Sequence, residues 1–383
     1  MYHNKTHRRF ISLFFLISGV SYSTLMARIP TIKSLYDLNA MELGSLLLVL
    51  PIASLVGLPL AGWLISRYSS RLSLAVAFSA NSVTLALIGL TGSLVMLVPA
   101  IAVFSFTMRI FSIAVNSQAI ALQRSYKKKI IGSFHGLWSL GGILGILTST
   151  LMVAGGVTMA VHFAAIAMFS LGLTLYSARY LLKDDRNEPS ARLRFGRPDT
   201  LILYLGIIAF AGAMCEGAMY DWSGVYFKEI LHVRVFTYGY LVFMSFMTLS
   251  RFISDTMMNR IGLKKYYLLN GALICTGMVL PSVLPSFFWA VIGFSLVGIG
   301  AAPIIPMTYV LATSSSPYSP SVSISLIATW ALMGMFLGPP LVGFLAQLFN
   351  LRISFLVLSL AGISILPVAV RFFRARAVVP SNE

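Results

Sequence analysis

The sequence contains few charged residues, and acidic residues are the scarcest of them. Only 10% of its 383 residues are charged and 11 are Asp or Glu, whereas a soluble domain carries about 25% charged residues. The two cysteines, Cys215 and Cys275, lie inside apolar runs, so neither a disulfide framework nor a CxxC metal site is expected. P-loop and HExxH spacings are also absent, and we therefore predict no ATP hydrolysis, no cofactor and no metal.

Long apolar runs make up most of the chain. Hydrophobic residues account for 58% of it, and a run of about 20 such residues crosses a bilayer core of roughly 30 Å. We count twelve runs, interrupted by one long polar segment at 183–199. The sequence therefore predicts an all-α membrane protein of twelve transmembrane helices. It has a six-helix bundle in 1–182, a cytoplasmic linker in 183–199 and a second six-helix bundle in 200–383.

Positive charge is concentrated in alternate short loops. The net charge of +17 would indicate nucleic-acid binding in a soluble protein, but Lys and Arg lie mainly between the apolar spans here. Basic loops face the cytoplasm and attract anionic lipids. Placing the N-terminus inside puts most basic residues, including Lys127–Lys129, on the cytoplasmic side. We expect a multi-pass protein of the inner membrane with both termini cytoplasmic, in contact with lipids and without nucleic acid.

The two halves repeat one another at an offset of 192 or 193 residues. The matching residues are Gly19 with Gly212, Arg67 with Arg260, Arg71 with Lys264, Trp138 with Trp330 and Gly142 with Gly334. Six-plus-six repeats are typical of secondary transporters, because two similar bundles can move about a site between them.

Two loop sequences resemble the motif that the major facilitator superfamily carries between its second and third helices. The first is Gly62-Trp-Leu-Ile-Ser-Arg67-Tyr-Ser-Ser-Arg71, with Ser66 where Asp is usual and Ser69 where Gly is usual. The second comprises Arg251-Phe-Ile-Ser-Asp255 and Arg260-Ile-Gly262-Leu-Lys264, which keep the acid and the glycine. The resemblance covers the whole chain and implies two pseudo-symmetric six-helix bundles. It also implies a cytoplasmic charge latch formed by Arg67, Arg71, Arg251, Asp255 and Arg260.

Three further stretches resemble the YbjJ-like branch of that superfamily. They are Asn116-Ser-Gln118-Ala, Phe134-His135-Gly-Leu-Trp138-Ser-Leu-Gly-Gly142 and Glu216-Gly-Ala-Met-Tyr-Asp221-Trp222-Ser. This chain has Gln123 where the branch tends to have Glu, so no role is carried over for an acid at that position.

Glu216 is an acid inside the seventh predicted span, 200–222. A charged group at bilayer depth is costly and normally faces a partner or a wet cavity. Its position places it about two thirds of the way across, in the outer half of the membrane. Glu216 is either a protonatable acid that couples transport to protons, or a structural acid paired with an arginine or a helix end.

Arg28 and Asp221 end the first and seventh predicted spans on the outer side, at equivalent positions of the repeat. Opposite charges there predict an outer gate that breaks when the two halves part. The alternative is two solvated helix ends, where an exposed ion pair contributes little to stability.

Polar residues follow one face of the fourth predicted span, 97–122. At 100° per residue they fall within an arc of about 60°, and they are Ser105, Arg109, Ser112, Asn116 and Gln123. We expect Arg109 to face a cavity near mid-membrane, where it binds an anionic group of the substrate or pairs with Glu216 or another acid. Helix packing through small polar residues is the alternative for this face. Gln118 lies on the opposite side and is predicted to hydrogen-bond a neighbouring helix.

Aromatic residues and a histidine mark the fifth predicted span, 132–154, and its repeat partner. His135 is either a proton relay or a hydrogen-bonded structural residue. Trp138 and Trp330 either stack against a sugar or other ring of the substrate or pack between helices. Pro303 and Pro306 predict a bend in the tenth span.

These features favour a secondary transporter that moves a small polar or anionic solute by alternating access, coupled to protons. The candidate substrate-binding or coupling residues are Arg109, Asn116, Glu216, Trp138, Trp330 and His135. A membrane sensor or receptor that keeps a transporter fold without transport is the alternative from another class, and drug efflux is the alternative among transporters. No clustered catalytic set is present, so an enzyme is not expected, and we expect a monomer.

Overall fold

The computed structural model describes residues 2–126, 130–182, 199–315 and 320–378. These residues form α-helices and one short 3₁₀-helix, Ala178–Tyr180, with no β-strand among them. The α-helices are α1 (Tyr2–Ala27), α2 (Ile29–Leu35), α3 (Ala40–Arg67), α4 (Ser70–Leu90), α5 (Leu94–Gln123), α6 (Ile131–Ala154), α7 (Met159–Ser177), α8 (Thr200–Glu229), α9 (Tyr238–Ile261), α10 (Leu263–Val283), α11 (Phe287–Ala301), α12 (Ile304–Ser315), α13 (Pro320–Leu348) and α14 (Leu351–Val378). The predicted all-α class is confirmed.

The helices pack into two compact units. The first comprises Met1–Asp37 and Leu46–Ala191, and the second comprises Leu38–Ser45 and Arg192–Glu383. In the first unit α1 packs against α6, and α4 packs against α5 and α7. In the second unit α8 packs against α13, and α10 packs against α11 and α14. The sequence placed the start of α3 in the bundle 1–182, whereas it groups here with the second unit, and most of the predicted linker, 183–198, lies outside the described residues.

Eleven segments of the described chain are helical, long and apolar enough to cross a membrane. The one predicted span without such a counterpart, 236–258, coincides with α9. This helix has 24 residues, or about 36 Å at 1.5 Å per residue, which exceeds a bilayer core of roughly 30 Å. Its C-terminal half carries Arg251, Asp255 and Arg260, and these charges lower its mean hydropathy. We therefore assign α9 as the twelfth span.

Polar residues in the loops determine where several helices begin. At the start of α3, Asn39 Oδ1 accepts from the Glu42 N–H and Glu42 Oε2 accepts from the Asn39 N–H, each at 2.9 Å. The Ser69 hydroxyl accepts from the Leu72 N–H at 3.1 Å and caps α4. Gly262 has φ 81° between α9 and α10, a left-handed conformation that favours glycine. The two related loop motifs thus start their next helices in different ways.

The tenth predicted span is broken between α11 and α12. Pro303 has no N–H to donate to the carbonyl of Ile299, four residues earlier. The Ser250 hydroxyl of α9 donates to this carbonyl instead, at 2.9 Å. The bend predicted at Pro303 is confirmed, and a neighbouring helix satisfies the carbonyl that the proline leaves open.

Glycines bring α6 close to α1 in the first unit. A Cβ on Gly141 would overlap the Leu16 carbonyl oxygen, and a Cβ on Gly145 would lie 2.7 Å from the Val20 carbonyl oxygen. Small residues allow this close approach of transmembrane helices. The backbone of α1 therefore occupies the space that side chains at these positions would need.

The second unit repeats this contact between α8 and α13. A Cβ on Gly334 would overlap the Phe210 carbonyl oxygen, and one on Gly338 would overlap the Met214 carbonyl oxygen. The contacts therefore match Gly334 to Gly141, at an offset of 193. Trp138 and Trp330 are separated by 192 residues, so at an offset of 193 they are not equivalent positions and differ by one residue.

Replacing Gly141 with alanine should lower the thermal stability of the protein, because the new methyl group meets the backbone of α1. Overpacking of this kind costs about 1–3 kcal/mol. Gly136→Ala on the same helix is the matched control, since a Cβ there has no neighbour within 4 Å. Thermal unfolding of both variants in one detergent checks this, and equal melting temperatures would show that α6 and α1 are not closely packed at Gly141.

Candidate functional site

An acidic side chain in the second unit is held by residues of two helices. Glu216 of α8 has a side chain that is 13% exposed, and its Oε1 lies 3.5 Å from Nη2 of Arg251, whose side chain is 33% exposed. The same oxygen accepts a hydrogen bond from the buried Tyr220 hydroxyl at 2.8 Å. A guanidinium and a phenol thus both face one carboxylate oxygen. Charge-assisted contacts of this kind are stronger than hydrogen bonds between neutral groups.

The helical repeat positions this group. Glu216 and Tyr220 are one turn apart on α8, and Met247 and Arg251 are one turn apart on α9. Met247 Sδ lies 3.9 Å from the Tyr220 hydroxyl and 3.8 Å from Arg251 Nη2. We call these four residues the acid cluster. Glu216 has the arginine partner that the structural interpretation requires, and within the second unit that partner is Arg251. A pairing of Glu216 with Arg109 of the first unit stays a prediction.

Helix α8 is longer than the predicted span. It continues past 222 to Glu229 because Trp222, Tyr226 and Phe227 are fully buried in the second unit. Glu216 therefore lies near the middle of a 30-residue helix. Its depth in the outer half of the membrane stays a prediction.

Arg28 and Asp221 are each buried in their own unit. Arg28 is 4% exposed, and it donates from Nε to His162 Nδ1 at 3.3 Å and from Nη2 to the Val157 carbonyl at 2.8 Å. Asp221 is 7% exposed, and its Oδ1 has no hydrogen-bond partner among the described residues. The alternative of two solvated helix ends is wrong, since α8 continues for about two turns beyond Asp221. The outer-gate role stays a prediction.

Arg109 of α5 is a cation whose partner in the first unit is a hydroxyl. Its Nε donates to Ser54 Oγ on α3 at 2.6 Å, and it forms no ion pair with the described residues. A Cβ on Gly57 would lie 3.2 Å from Arg109 Cβ, so glycine at this position leaves room for the arginine stem. Within the described part of the first unit, the half-buried guanidinium therefore has no acidic partner.

The other polar residues on this face of α5 bond to backbone. The Ser105 hydroxyl donates to the Leu50 carbonyl at 2.5 Å, which joins α5 to α3. The Asn116 amide donates to a carbonyl one turn earlier at 2.8 Å. Gln123 Oε1 accepts from the Ile130 N–H at 2.7 Å. Helix packing thus accounts for Ser105 and local bonding for Gln123, while a substrate role for Asn116 stays a prediction.

Gln118 lies on the opposite face of α5 and is fully buried. Its Nε2 donates to Ser70 Oγ at 2.6 Å and to the Leu182 carbonyl at 3.1 Å, and its Oε1 accepts from the Leu182 N–H at 2.9 Å. The predicted hydrogen bonding to a neighbouring helix is confirmed.

The two tryptophans and the histidine contact aromatic residues of their own units. The Trp138 ring centroid lies 6.3 Å from that of Tyr22, and the Trp330 centroid lies 6.5 Å from that of Phe210. His135 is exposed and contacts a phenylalanine of α1 edge-on. These contacts fit packing between helices, and roles in substrate binding or proton relay stay predictions.

The predicted latch residues are partly described. Arg67 is exposed and lies 5.6 Å from the Trp63 ring and 5.9 Å from the Tyr68 ring. Arg71 is half-buried and Arg260 is exposed. Arg251 belongs to the acid cluster, and the side chain of Asp255 lies outside the described residues. The latch stays a prediction.

Sequence reasoning missed the residues that hold the two charges in place. These are Tyr220 and Met247 beside Glu216, and Ser54 and Gly57 beside Arg109. The i, i+4 spacing from Glu216 is a signal for Tyr220. In the described chain, no group of three or more His, Cys, Asp or Glu residues is arranged to hold a metal ion.

The fold accords with comparisons to known proteins. The family model described as Major Facilitator Superfamily (MFS) matches residues 11–329. The chain belongs to this superfamily. An uncharacterized MFS-type transporter of Yersinia pestis is 29% identical over 347 residues, which cover 90% of each chain. The membrane protein MosC of Rhizobium meliloti is 28% identical over 373 residues, covering 96% of this chain and 90% of MosC. This superfamily member is therefore a multi-pass membrane transporter, and its placement in the YbjJ-like branch stays a prediction.

Solved MFS structures share the fold at low sequence identity. A bacterial homolog of the human lysosomal transporter Spinster, in an inward-facing and unoccupied conformation, has a TM-score of 0.76 at 14% identity and covers 99% of both chains. The nucleoside transporter NupG has a TM-score of 0.70 at 14% identity, covering 98% of this chain and all of NupG. At these identities the likeness shows the fold alone.

Proposed function

We propose that this MFS transporter is a secondary active transporter of a small anionic or polar solute. It works as a monomer by alternating access and uses a proton gradient. The observation that carries the proposal is Arg109, a half-buried cation in the middle of a transmembrane helix that forms no ion pair with the described residues. An intramembrane cation without an acidic partner marks a substrate or ion pathway.

The charge of Arg109 supports an anionic group on the solute. A guanidinium offers five N–H donors in a planar fork, and the hydroxyl of Ser54 occupies Nε. The remaining donors need acceptors when they are taken out of water. An anionic solute supplies both the acceptors and the missing negative charge, whereas an organic cation supplies neither. Drug efflux of cations is therefore disfavoured.

The acid cluster supports proton coupling. Glu216 is a carboxyl group at mid-helix that is mostly shielded from water. Its one described ion-pair partner, Arg251, is itself one third exposed. A carboxyl group is a chemical carrier of protons, and the charge attraction to Arg251 requires the carboxylate. Glu216 is the coupling residue in this proposal.

Uptake into proteoliposomes tests the proposed function. Purified protein is reconstituted with an imposed proton gradient, and accumulation of radiolabelled organic acids and sugars is compared with that in protein-free liposomes. Accumulation that collapses when a protonophore is added supports the proposal. Binding of a solute without flux in either direction would instead favour the membrane sensor.

We also propose that the protein lies in the inner membrane with both termini in the cytoplasm. The excess of Lys and Arg in alternate loops supports this orientation. A fluorescent protein fused after residue 383 should fold and fluoresce, and alkaline phosphatase fused there should be inactive. Phosphatase fused in the loop after α1 and α2, at Asp37, should be active. The opposite pattern would reverse the assigned orientation.

A further inference from the structure

Arg109 offers one edge of its guanidinium to a ligand. Its Nε is occupied by Ser54 Oγ at 2.6 Å, and its Nη1 and Nη2 atoms have no hydrogen-bond partner among the described residues. The free edge is therefore the end of the fork, where the two terminal nitrogens lie side by side. A carboxylate matches this edge with two parallel hydrogen bonds.

Two residues of α3 hold the arginine in place. Ser54 binds the head group through Nε, and Gly57, three residues later, faces the stem. A Cβ on Gly57 would lie 3.2 Å from Arg109 Cβ and 3.2 Å from the Phe106 carbonyl oxygen. A larger residue at 57 would push the stem away from α3. The pair therefore fixes the direction in which the free edge points.

The charges around Arg109 in the first unit favour a ligand with a single negative charge. Arg28, another buried cation of this unit, donates to His162 and to the Val157 carbonyl. Arg109 thus supplies one positive charge without an anionic partner among the described residues. A phosphate monoester would bring a second negative charge into a site with no described cation to neutralise it, and burying an unpaired charge is costly.

Two aromatic side chains belong to the same unit as this edge. Tyr22 of α1 interacts electrostatically with Arg109, and its ring centroid lies 6.3 Å from that of Trp138. Flat aromatic faces pack well against a ring of the ligand. The chemistry of the first unit therefore combines one carboxylate-binding edge with two aromatic side chains.

We propose that Arg109 binds a ring-bearing monocarboxylate end-on through Nη1 and Nη2, and that Ser54 is the positioning residue for this selectivity. The proposal rests on the proposed function and narrows its solute to a monocarboxylic acid. Ser54 acts through the arginine and does not itself contact the ligand.

Two matched sets of ligands test the selectivity. Each set keeps one ring and changes the group on it: glucuronate, glucuronamide and glucose 6-phosphate, and benzoate, benzamide and phenyl phosphate. Calorimetry on the purified full-length protein should give at least one carboxylate a Kd about tenfold or more below those of its amide and phosphate, the effect of one charged contact. Equal or tighter binding of an amide or a phosphate overturns the proposal, and so does the absence of binding by both carboxylates.

The role of Ser54 has its own readout. Ser54→Ala should reduce the preference for carboxylate over amide about tenfold. Ser54→Thr keeps the hydroxyl and should therefore show the wild-type preference. Ser105→Ala is the matched control, because that hydroxyl also joins α5 to α3 but donates to the Leu50 carbonyl. An unchanged preference in Ser54→Ala, with a melting temperature lowered as in Ser105→Ala, would show that Ser54 is only structural.

Failure of this inference differs from failure of the proposed function. If Arg109→Gln still transports a neutral solute, the protein is a transporter, but the proposed carboxylate site is wrong. If carboxylate binding depends on Arg109 but no solute enters the proteoliposomes, the carboxylate site is supported and the transport proposal is wrong.

Discussion

Glu216→Gln should abolish proton-driven accumulation of the solute while counterflow exchange continues. Glutamine has nearly the shape of the acid and its amide oxygen can still accept from the Tyr220 hydroxyl, which lies 2.8 Å from Glu216 Oε1. It cannot load or release a proton, so the solute gradient is no longer tied to the proton gradient. Uptake driven by an imposed pH gradient should fall to the level of protein-free liposomes, and exchange of labelled for unlabelled solute should stay near the wild-type rate.

The loss of charge at Glu216 also removes its ion pair with Arg251. Because the Arg251 side chain is 33% exposed, water screens this effect, and we expect a cost of about 1 kcal/mol or less. Melting temperature is therefore measured beside flux. Tyr220→Phe is the control, since it removes a hydrogen bond and keeps the carboxyl group, and it should retain proton-driven uptake. If Glu216→Gln still accumulates solute against its gradient, another group carries the coupling.

Arg109→Gln should weaken binding of the anionic solute and leave folding intact. Removing one member of a buried, hydrogen-bonded charge pair costs about 2 kcal/mol or more, or roughly 30-fold in Kd. Arg109→Lys keeps the charge and loses the fork, so its Kd should lie between those of the wild type and the glutamine variant. Titration of solute into purified protein, followed by calorimetry, gives these values.

Stability separates a binding role for Arg109 from a structural one. No ion pair with the described residues is lost on substitution, so Arg109→Gln should melt within a few degrees of the wild type. Arg374→Gln, an exposed residue near the end of α14, is the control for the change in net charge. A large drop in melting temperature together with unchanged affinity would identify Arg109 as a structural residue.

The helices were largely predictable from the sequence because they depend on local properties. Apolar runs of sufficient length predicted the spans, and proline chemistry predicted the break at Pro303. Helical periodicity placed Gln118 away from the polar face of α5, where it bonds Ser70 and Leu182. The end of α8 was predicted too early. Polar residues such as Asp221 and Ser223 indicated the end of an apolar run, although the chain remains buried beyond them.

The partners of the charged residues could not be predicted, because a helical face does not specify which helix lies against it. The sequence left the partner of Glu216 open and proposed Arg251 only for the latch, whereas α9 lies beside α8 and brings Arg251 next to Glu216. Ser54 and Gly57 gave no signal either. Small residues are common in packed transmembrane helices, and their special positions appear only when α3 and α5 are seen together.

The few acidic residues of the chain are distributed unevenly between the two units. Among the described residues of the first unit Asp37 is the one carboxylic acid, whereas the second unit holds both Glu216 and Asp221 within α8. Under the proposed function, the two bundles therefore respond to different chemical signals. Protons act on the carboxyl groups of the C-terminal half, and the anionic solute acts on the arginine of the N-terminal half. Hybrid proteins that exchange one half between relatives should separate the two responses, so that ion dependence follows the C-terminal half and solute preference follows the N-terminal half.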